Sequence, residues 1–168
     1  EGIYAADEQL RAILTLYIDN TPDNDEEHYS IMYCWQFAID GKVIFGRTWA
    51  EFLQLYDVIT DYTSKNNTLL VWVHNLNMEF QYIRKLLNWS KVFSISNRKP
   101  VYAVTEDGIE FRCSYILTNY SLAKLGEQLH KYDIKKLVGN LNYSYYRSPE
   151  TPMSDEEISY CINDVLVV

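Results

Sequence analysis

The chain has 168 residues, 48% of them hydrophobic and 15% aromatic, which excludes a disordered tail and provides for one ordinary domain with a real core. Its formal charge of −8, from 23 acids against 15 lysines and arginines, excludes nucleic-acid binding through a broadly basic surface. Any such contact must be local, metal-bridged or supplemented by a partner domain. Cys34, Cys113 and Cys161 are widely spaced and form no CxxC pair, so they read as reduced thiols of an intracellular protein. No apolar run approaches the length of a membrane span, so no membrane partner is expected.

The first element, "ILTLYID" (13–19), is a strand that places Tyr17 and Asp19 on one face. "HYSIMYCWQFAID" alternates, with Tyr29, Ile31, Tyr33, Trp35, Phe37 and Ile39 on one side. Asp40-Gly41 is a hairpin signal leading into "KVIFG". These three segments predict an antiparallel meander, with the acidic "PDNDEE" between the first two. "TWAEFLQLYDVITDY" has helical spacing through Phe52, Tyr56, Ile59 and Tyr62.

"LLVWV" (69–73) is too apolar on both faces to be an edge strand. The helix "NMEFQYIRKLLNW" follows, with Glu79, Ile83, Leu86 and Leu87 on one stripe. "PVYAVTEDGIEFRCSYIL" predicts a hairpin turning at Asp107-Gly108, and "SLAKLGEQLHKY" another helix. "LVGNLNYSYYRSPETP" reads as a loop. The last helix opens on a capping box, Ser154 to Glu157, and runs to the end. The expectation is one mixed α/β domain over residues 1–168, with a mixed central sheet flanked by helices.

The acids gather in a pattern. Asp19 ends the first strand, Glu79 opens the helix after the buried strand, and Asp164 lies on the last helix with Tyr160 one turn before it. Carboxylates brought from separate elements suit hard, oxygen-loving cations such as Mg²⁺ or Mn²⁺. A pair of such ions is a common apparatus for cleaving phosphodiesters.

"VHNLNMEFQYI" (73–83), followed far downstream by "DEEISYCINDVLVV" (155–168), resembles the second and third exonuclease motifs of protein-primed, phage-type family B DNA polymerases. The segments between, "IEFRCSYILTNYSLAKLGEQL" and "LVGNLNYSYYRSPETPMSDEEISY", follow in the same order, so the likeness runs from about Ile13 to Val168. It implies a ribonuclease-H-like (DnaQ-like exonuclease) fold and a 3′→5′ proofreading exonuclease domain with a tyrosine in its third motif. Catalytic residues on that pattern are Asp19, Glu79, Tyr160 and Asp164, with Asp19, Glu79 and Asp164 holding Mg²⁺ or Mn²⁺. Asn75 and Tyr143 match positions that contact DNA in that family, and together with Thr21 and Phe80 they make a candidate DNA-binding cradle for a single-stranded end. The implied partners are a single-stranded DNA 3′ end and a polymerase domain. The implied location is the cytoplasm of a bacterial host, encoded by a phage or mobile element.

The chain departs from the family in three places. The first motif is Asp-x-Glu in the family; here Tyr17 and Asp19 stand at those positions. Glu79 stands where the second motif has an aspartate. A lysine of the family falls at Val138, beside Lys135 and Lys136. Tyr17 removes a charge and adds a ring where a cation would sit, so weakened or absent hydrolysis is expected. Two functions therefore stand side by side. One is a metal-dependent 3′→5′ exonuclease domain. The other is a silent exonuclease-like domain that binds single-stranded DNA or scaffolds a polymerase core. No polymerase palm motif is present, so the chain reads as an excised N-terminal domain of a larger polymerase or as a stand-alone descendant.

Taken singly, several residues have plainer readings. His74-Asn75 is a polar strand end, Glu79 a first-turn acid favoured by the helix dipole, and Asp19 a turn former before Asn20-Thr21-Pro22. Tyr160 and Tyr143 could simply pack. Asp164 resists such a reading, because a carboxylate on an inward helix face is costly without a partner.

Overall fold

The computed structural model describes the backbone of residues 11–20, 30–128 and 147–168, and the side chains of 31–128 and 147–168. Among the described residues twelve elements follow in order: β1 (Arg11–Asn20), β2 (Ser30–Ile39), β3 (Lys42–Gly46), α1 (Trp49–Thr60), β4 (Leu69–Val73), α2 (Leu76–Ile83), β5 (Trp89–Ser96), β6 (Lys99–Thr105), β7 (Ile109–Cys113), α3 (Ser114–Thr118), α4 (Leu122–Gln128) and α5 (Asp155–Val167). The strands form one sheet in the order β3-β2-β1-β4-β7-β6-β5. Its centre, β1-β4-β7, is parallel. Antiparallel pairs flank it on both sides, β1-β2-β3 on one and β7-β6-β5 on the other.

Local chemistry explains the joints. Asp40 and Gly41 both have positive φ, at 49° and 71°, as the tight β2–β3 turn requires. Both α1 and α5 start at full capping boxes, Thr48 with Glu51 and Ser154 with Glu157. Each box satisfies backbone donors that would otherwise have no partner at the helix start.

Successive residues of β2 point to opposite faces, and both faces are covered. Trp35 and Phe37 join the main core with Phe52 and Tyr56 of α1, with Leu69, Val71 and Val73 of β4, and with Ile109 and Phe111 of β7. Cys34 instead packs with Cys161 of α5. Thus α1 and α5 lie on opposite sides of the sheet.

Four sequence expectations need correction; the simplest is that the hairpin expected through Leu117 ends at Cys113, and Ser114–Thr118 forms the short helix α3. The β1–β2 register shifts so that Tyr17 faces Cys34 and Ile18 faces Met32, leaving Tyr33 as an extra residue. Tyr33 therefore packs with Cys34 and Cys161 and leaves the Trp35–Phe37 side. Tyr62 lies beyond the end of α1 and is 74% exposed. The helix expected through Trp89 stops at Ile83, because Trp89 begins a strand, β5, that the sequence reading passed over.

Candidate functional site

Among the described residues, parallel strands β1 and β4 pair from Arg11–Ile13 opposite Leu70–Trp72. By that register Leu14 is level with Val73, the last residue of β4, so β1 continues past β4 through Asn20. Tyr17 lies three residues further on, about 10 Å at the rise of a strand. The chain leaving β4 turns through His74-Asn75 into α2 at this same edge. The carboxyl ends of parallel strands are where open α/β sheets place their sites.

Asn75 occupies the turn with left-handed backbone, φ 65° and ψ 49°, and its side chain makes no capping hydrogen bond to α2. Asparagine tolerates this conformation better than most residues with a β-carbon. His74 stitches two strand ends together: Nδ1 lies 3.1 Å from Ser114 Oγ, at the start of α3, and its ring meets Tyr115 edge-on.

Glu79, in the first turn of α2, is 7% exposed. No described residue hydrogen-bonds its Oε2. Burial raises its pKa from the ordinary 4.5 to about 8, partly opposed by a hydrogen bond from its own backbone N–H. Phe80, the next residue, is half-buried, with its ring centroid 5.0 Å from that of Trp89 on β5.

The third acid arrives on α5, which packs against β1, β2 and β3. Cys161 Sγ lies 4.0 Å from Cys34 Sγ, and Cys34 is the register partner of Tyr17. Asp164 follows Cys161 by three residues, hence on the same side of the helix, and is 5% exposed. Tyr160 is half-buried against the Cys34–Cys161 cluster. Glu79 thus sits on the helix that leaves β4 and packs on β6 and β7, and Asp164 on the helix that packs on β1, β2 and β3. Asp19 itself lies near the end of β1, opposite Ile31. Thr21, Tyr143, Val138, Lys135 and Lys136 lie outside the described residues.

Two arginines that sequence reading missed fix the entry of α5. Arg47 donates from Nε to the Tyr33 carbonyl at 2.7 Å, and from Nη2 to the carbonyls of Ser148 at 3.0 Å and Thr151 at 2.6 Å. Arg147 is buried and pairs with Glu157 at 2.9 Å. No periodicity marks either one; "YYRSPETP" reads only as loop.

The same fold occurs among solved structures. Phi29 DNA polymerase complexed with single-stranded DNA aligns over 95% of this chain with a TM-score of 0.70 and 11% identity. Phi29 DNA polymerase with primer-template DNA and incoming nucleotide substrates aligns over 95% with a TM-score of 0.66 and 10% identity. This chain shares its fold with part of a DNA polymerase. It spans 29–30% of the length of those polymerases. The likeness to protein-primed family B polymerases read from the motifs thus stands at the level of the fold, and the mixed α/β sheet is compatible with a ribonuclease-H-like fold. No family model and no curated protein matches the chain.

The donor set bears on a metal. Among the described residues no three His, Cys, Asp or Glu side chains cluster as a metal site, and the Asp19 side chain is not among them. A buried carboxylate with an oxygen that no described residue satisfies is nevertheless the donor chemistry a divalent cation takes. Glu79 fits that part. Among the described residues no helix is long and apolar enough to cross a membrane.

Proposed function

We propose that this chain is a ribonuclease-H-like 3′→5′ exonuclease domain of a protein-primed family B DNA polymerase, weakened at its first acidic motif. The observation that carries the reading is Glu79. A carboxylate buried at the head of the helix leaving a central parallel strand, with Oε2 unsatisfied by any described residue, costs stability. Its place at the carboxyl edge of a sheet shared with a DNA polymerase supports a role in chemistry.

In this reading Asp19, Glu79 and Asp164 hold Mg²⁺ or Mn²⁺. Held there, a divalent cation would supply activation of water and charge relief at the phosphodiester. The Tyr160 phenol orients the attacking water. Thr21, Asn75, Phe80 and Tyr143 cradle the 3′-terminal nucleotides, and the uncapped amide of Asn75 supports that assignment. Burial favours the protonated form of Glu79, and a bound cation would favour the carboxylate instead.

A second reading, a silent domain that binds single-stranded DNA or scaffolds a polymerase core, is favoured by one feature: Tyr17 stands where the family has an aspartate. A 5′-labelled single-stranded oligonucleotide incubated with the protein in Mg²⁺ and then Mn²⁺ separates the two. Stepwise shortening from the 3′ end, lost in Asp164→Ala, is the expected result. An unchanged oligonucleotide in both metals would leave the silent reading.

A further inference from the structure

Residues 80–105 contain five cations, Arg84, Lys85, Lys91, Arg98 and Lys99, and no acid, in a chain whose net charge is −8. All five are exposed, and none forms an ion pair with a described residue. The acid facing this stretch, Glu110 on β7, is already held by Arg112 at 2.6 Å. The fold concentrates these cations at one place. Arg84 caps the end of α2, which packs on β6 and β7, and Lys85 follows it; the Arg84 carbonyl accepts a hydrogen bond from Trp89 Nε1 at 3.0 Å. The β5–β6 hairpin then carries the other three outward along the edge of the sheet, with residues 90–99 all exposed.

Its apolar residues are not covered either. Phe93 is 51% exposed and Ile95 67%. The Phe93 ring stacks on Tyr102 with centroids 5.5 Å apart and planes at 22°, and Lys91 Nζ lies 5.2 Å from the centre of the Tyr102 ring. The hairpin tip is unusual as well. Arg98 has φ 61°, a conformation open to glycine and disfavoured by a β-carbon. A cation is held at the point of the hairpin where glycine would fit more easily.

We infer that the β5–β6 hairpin is a binding surface for single-stranded nucleic acid, lying apart from the acidic site. Lys91, Arg98 and Lys99 would meet successive phosphates, and an unpaired base would stack on Phe93. Exposed aromatic platforms beside cations are how proteins hold single strands without reading sequence, and the unpaired strand is selected because a duplex hides its base faces. A local basic stretch also meets the condition that the chain's acidic balance imposes on any nucleic-acid contact. The inference extends the proposed function by adding a strand-guiding surface, and it requires no hydrolysis.

The test is fluorescence anisotropy of a labelled thymidine oligomer with the whole protein in EDTA, where no metal-dependent cleavage occurs. Lys91→Ala/Arg98→Ala/Lys99→Ala should weaken binding at least about tenfold at low salt and reduce the steepness of the salt dependence by about two, given roughly 0.7 for each phosphate no longer neutralised. Phe93→Ala should weaken it by about tenfold. Lys42→Ala/Lys65→Ala/Lys124→Ala, which makes the same change in net charge on other exposed positions, should bind like the parent. All substituted side chains are surface ones, and unchanged thermal melts would confirm the fold. Equal binding by the hairpin variants and the parent, equal affinity for duplex, or no binding by the parent would each overturn the inference. Binding without cleavage in Mg²⁺ or Mn²⁺ would instead overturn the exonuclease reading and leave the hairpin assignment standing.

Discussion

Cys34 Sγ on β2 and Cys161 Sγ on α5 lie 4.0 Å apart, both sealed completely from solvent. Their contact marks where α5 berths on the sheet. One thiol belongs to the register partner of Tyr17 and the other precedes Asp164 by less than a turn. The Cys161 thiol is pushed up far above its ordinary range, first by its hydrogen bond with Cys34 and then by burial. It is therefore a packing group and not a nucleophile. All three cysteines are free and buried, so a thiol reagent at mildly alkaline pH should label none quickly in the native protein and all three after denaturation. Cys161→Ala should cost about 1–2 kcal/mol, seen as a lower denaturant midpoint with unchanged slope. Rapid native labelling of Cys161 would show that α5 does not sit tightly on β2.

Glu79 makes stability depend on pH in the opposite sense to a salt-bridged acid. Unfolded, its carboxyl loses its proton near 4.5; folded, near 8. Between those values the folded state holds the extra proton, so stability falls as pH rises through the window and the loss is complete above 8. The loss should amount to a few kcal/mol. Urea melts in EDTA should show it in the parent and not in Glu79→Gln, which keeps a neutral, isosteric group. Adding Mn²⁺ above pH 8 should restore stability to the parent alone. Parallel pH profiles for the two proteins would mean that the carboxyl is not buried as described.

Tyr17→Asp is expected to raise the rate of 3′ shortening, on the order of a hundredfold when joined with Asp19→Glu and Glu79→Asp, because the positions of metal-holding oxygens matter at the ångström scale. Single-turnover cleavage, with Asp164→Ala as background, measures it. No gain would place the defect elsewhere than in the first motif.

Gly46 closes β3 against the indole of Trp35, and a β-carbon added there would fall on that ring. The ring has little room to withdraw, since it is 2% exposed and its Nε1 donates to the Thr48 carbonyl at 2.9 Å. Gly46→Ala should destabilise by about 1–3 kcal/mol. A lowered melting temperature with a red-shifted tryptophan emission would register it, and an unchanged melt would argue against this packing.

Much of this architecture was legible in local chemistry. The capping box at Ser154, the Asp40-Gly41 turn and the two-sided apolar run of β4 all announce themselves within a few residues. Glu79 was legible as an inward acid because it shares a stripe with Ile83 and Leu87. What could not be read depends on partners distant in the chain. The extra residue at Tyr33 follows from how β1 pairs with β2, which no pattern within β2 reveals. Strand β5 escaped because Ser90–Ser96 buries neither face, so its alternation of apolar and polar residues carries no inside or outside. Arg47 and Arg147 act on segments that only folding brings near.

Those two arginines carry a consequence for assembly. The segment from Arg147 onward contains its own turn, with Ser148 N donating to Thr151 Oγ1 at 2.9 Å, its own cap at Ser154, and its own ion pair. Its receptor, the Arg47 guanidinium beside β2 and β3, is built entirely from earlier sequence. The segment that leads into the helix bearing Asp164 therefore meets a socket prepared about a hundred positions earlier in the chain. Removing the Arg47 guanidinium should loosen a helix about a hundred positions away, seen as faster labelling of Cys161 in Arg47→Ala.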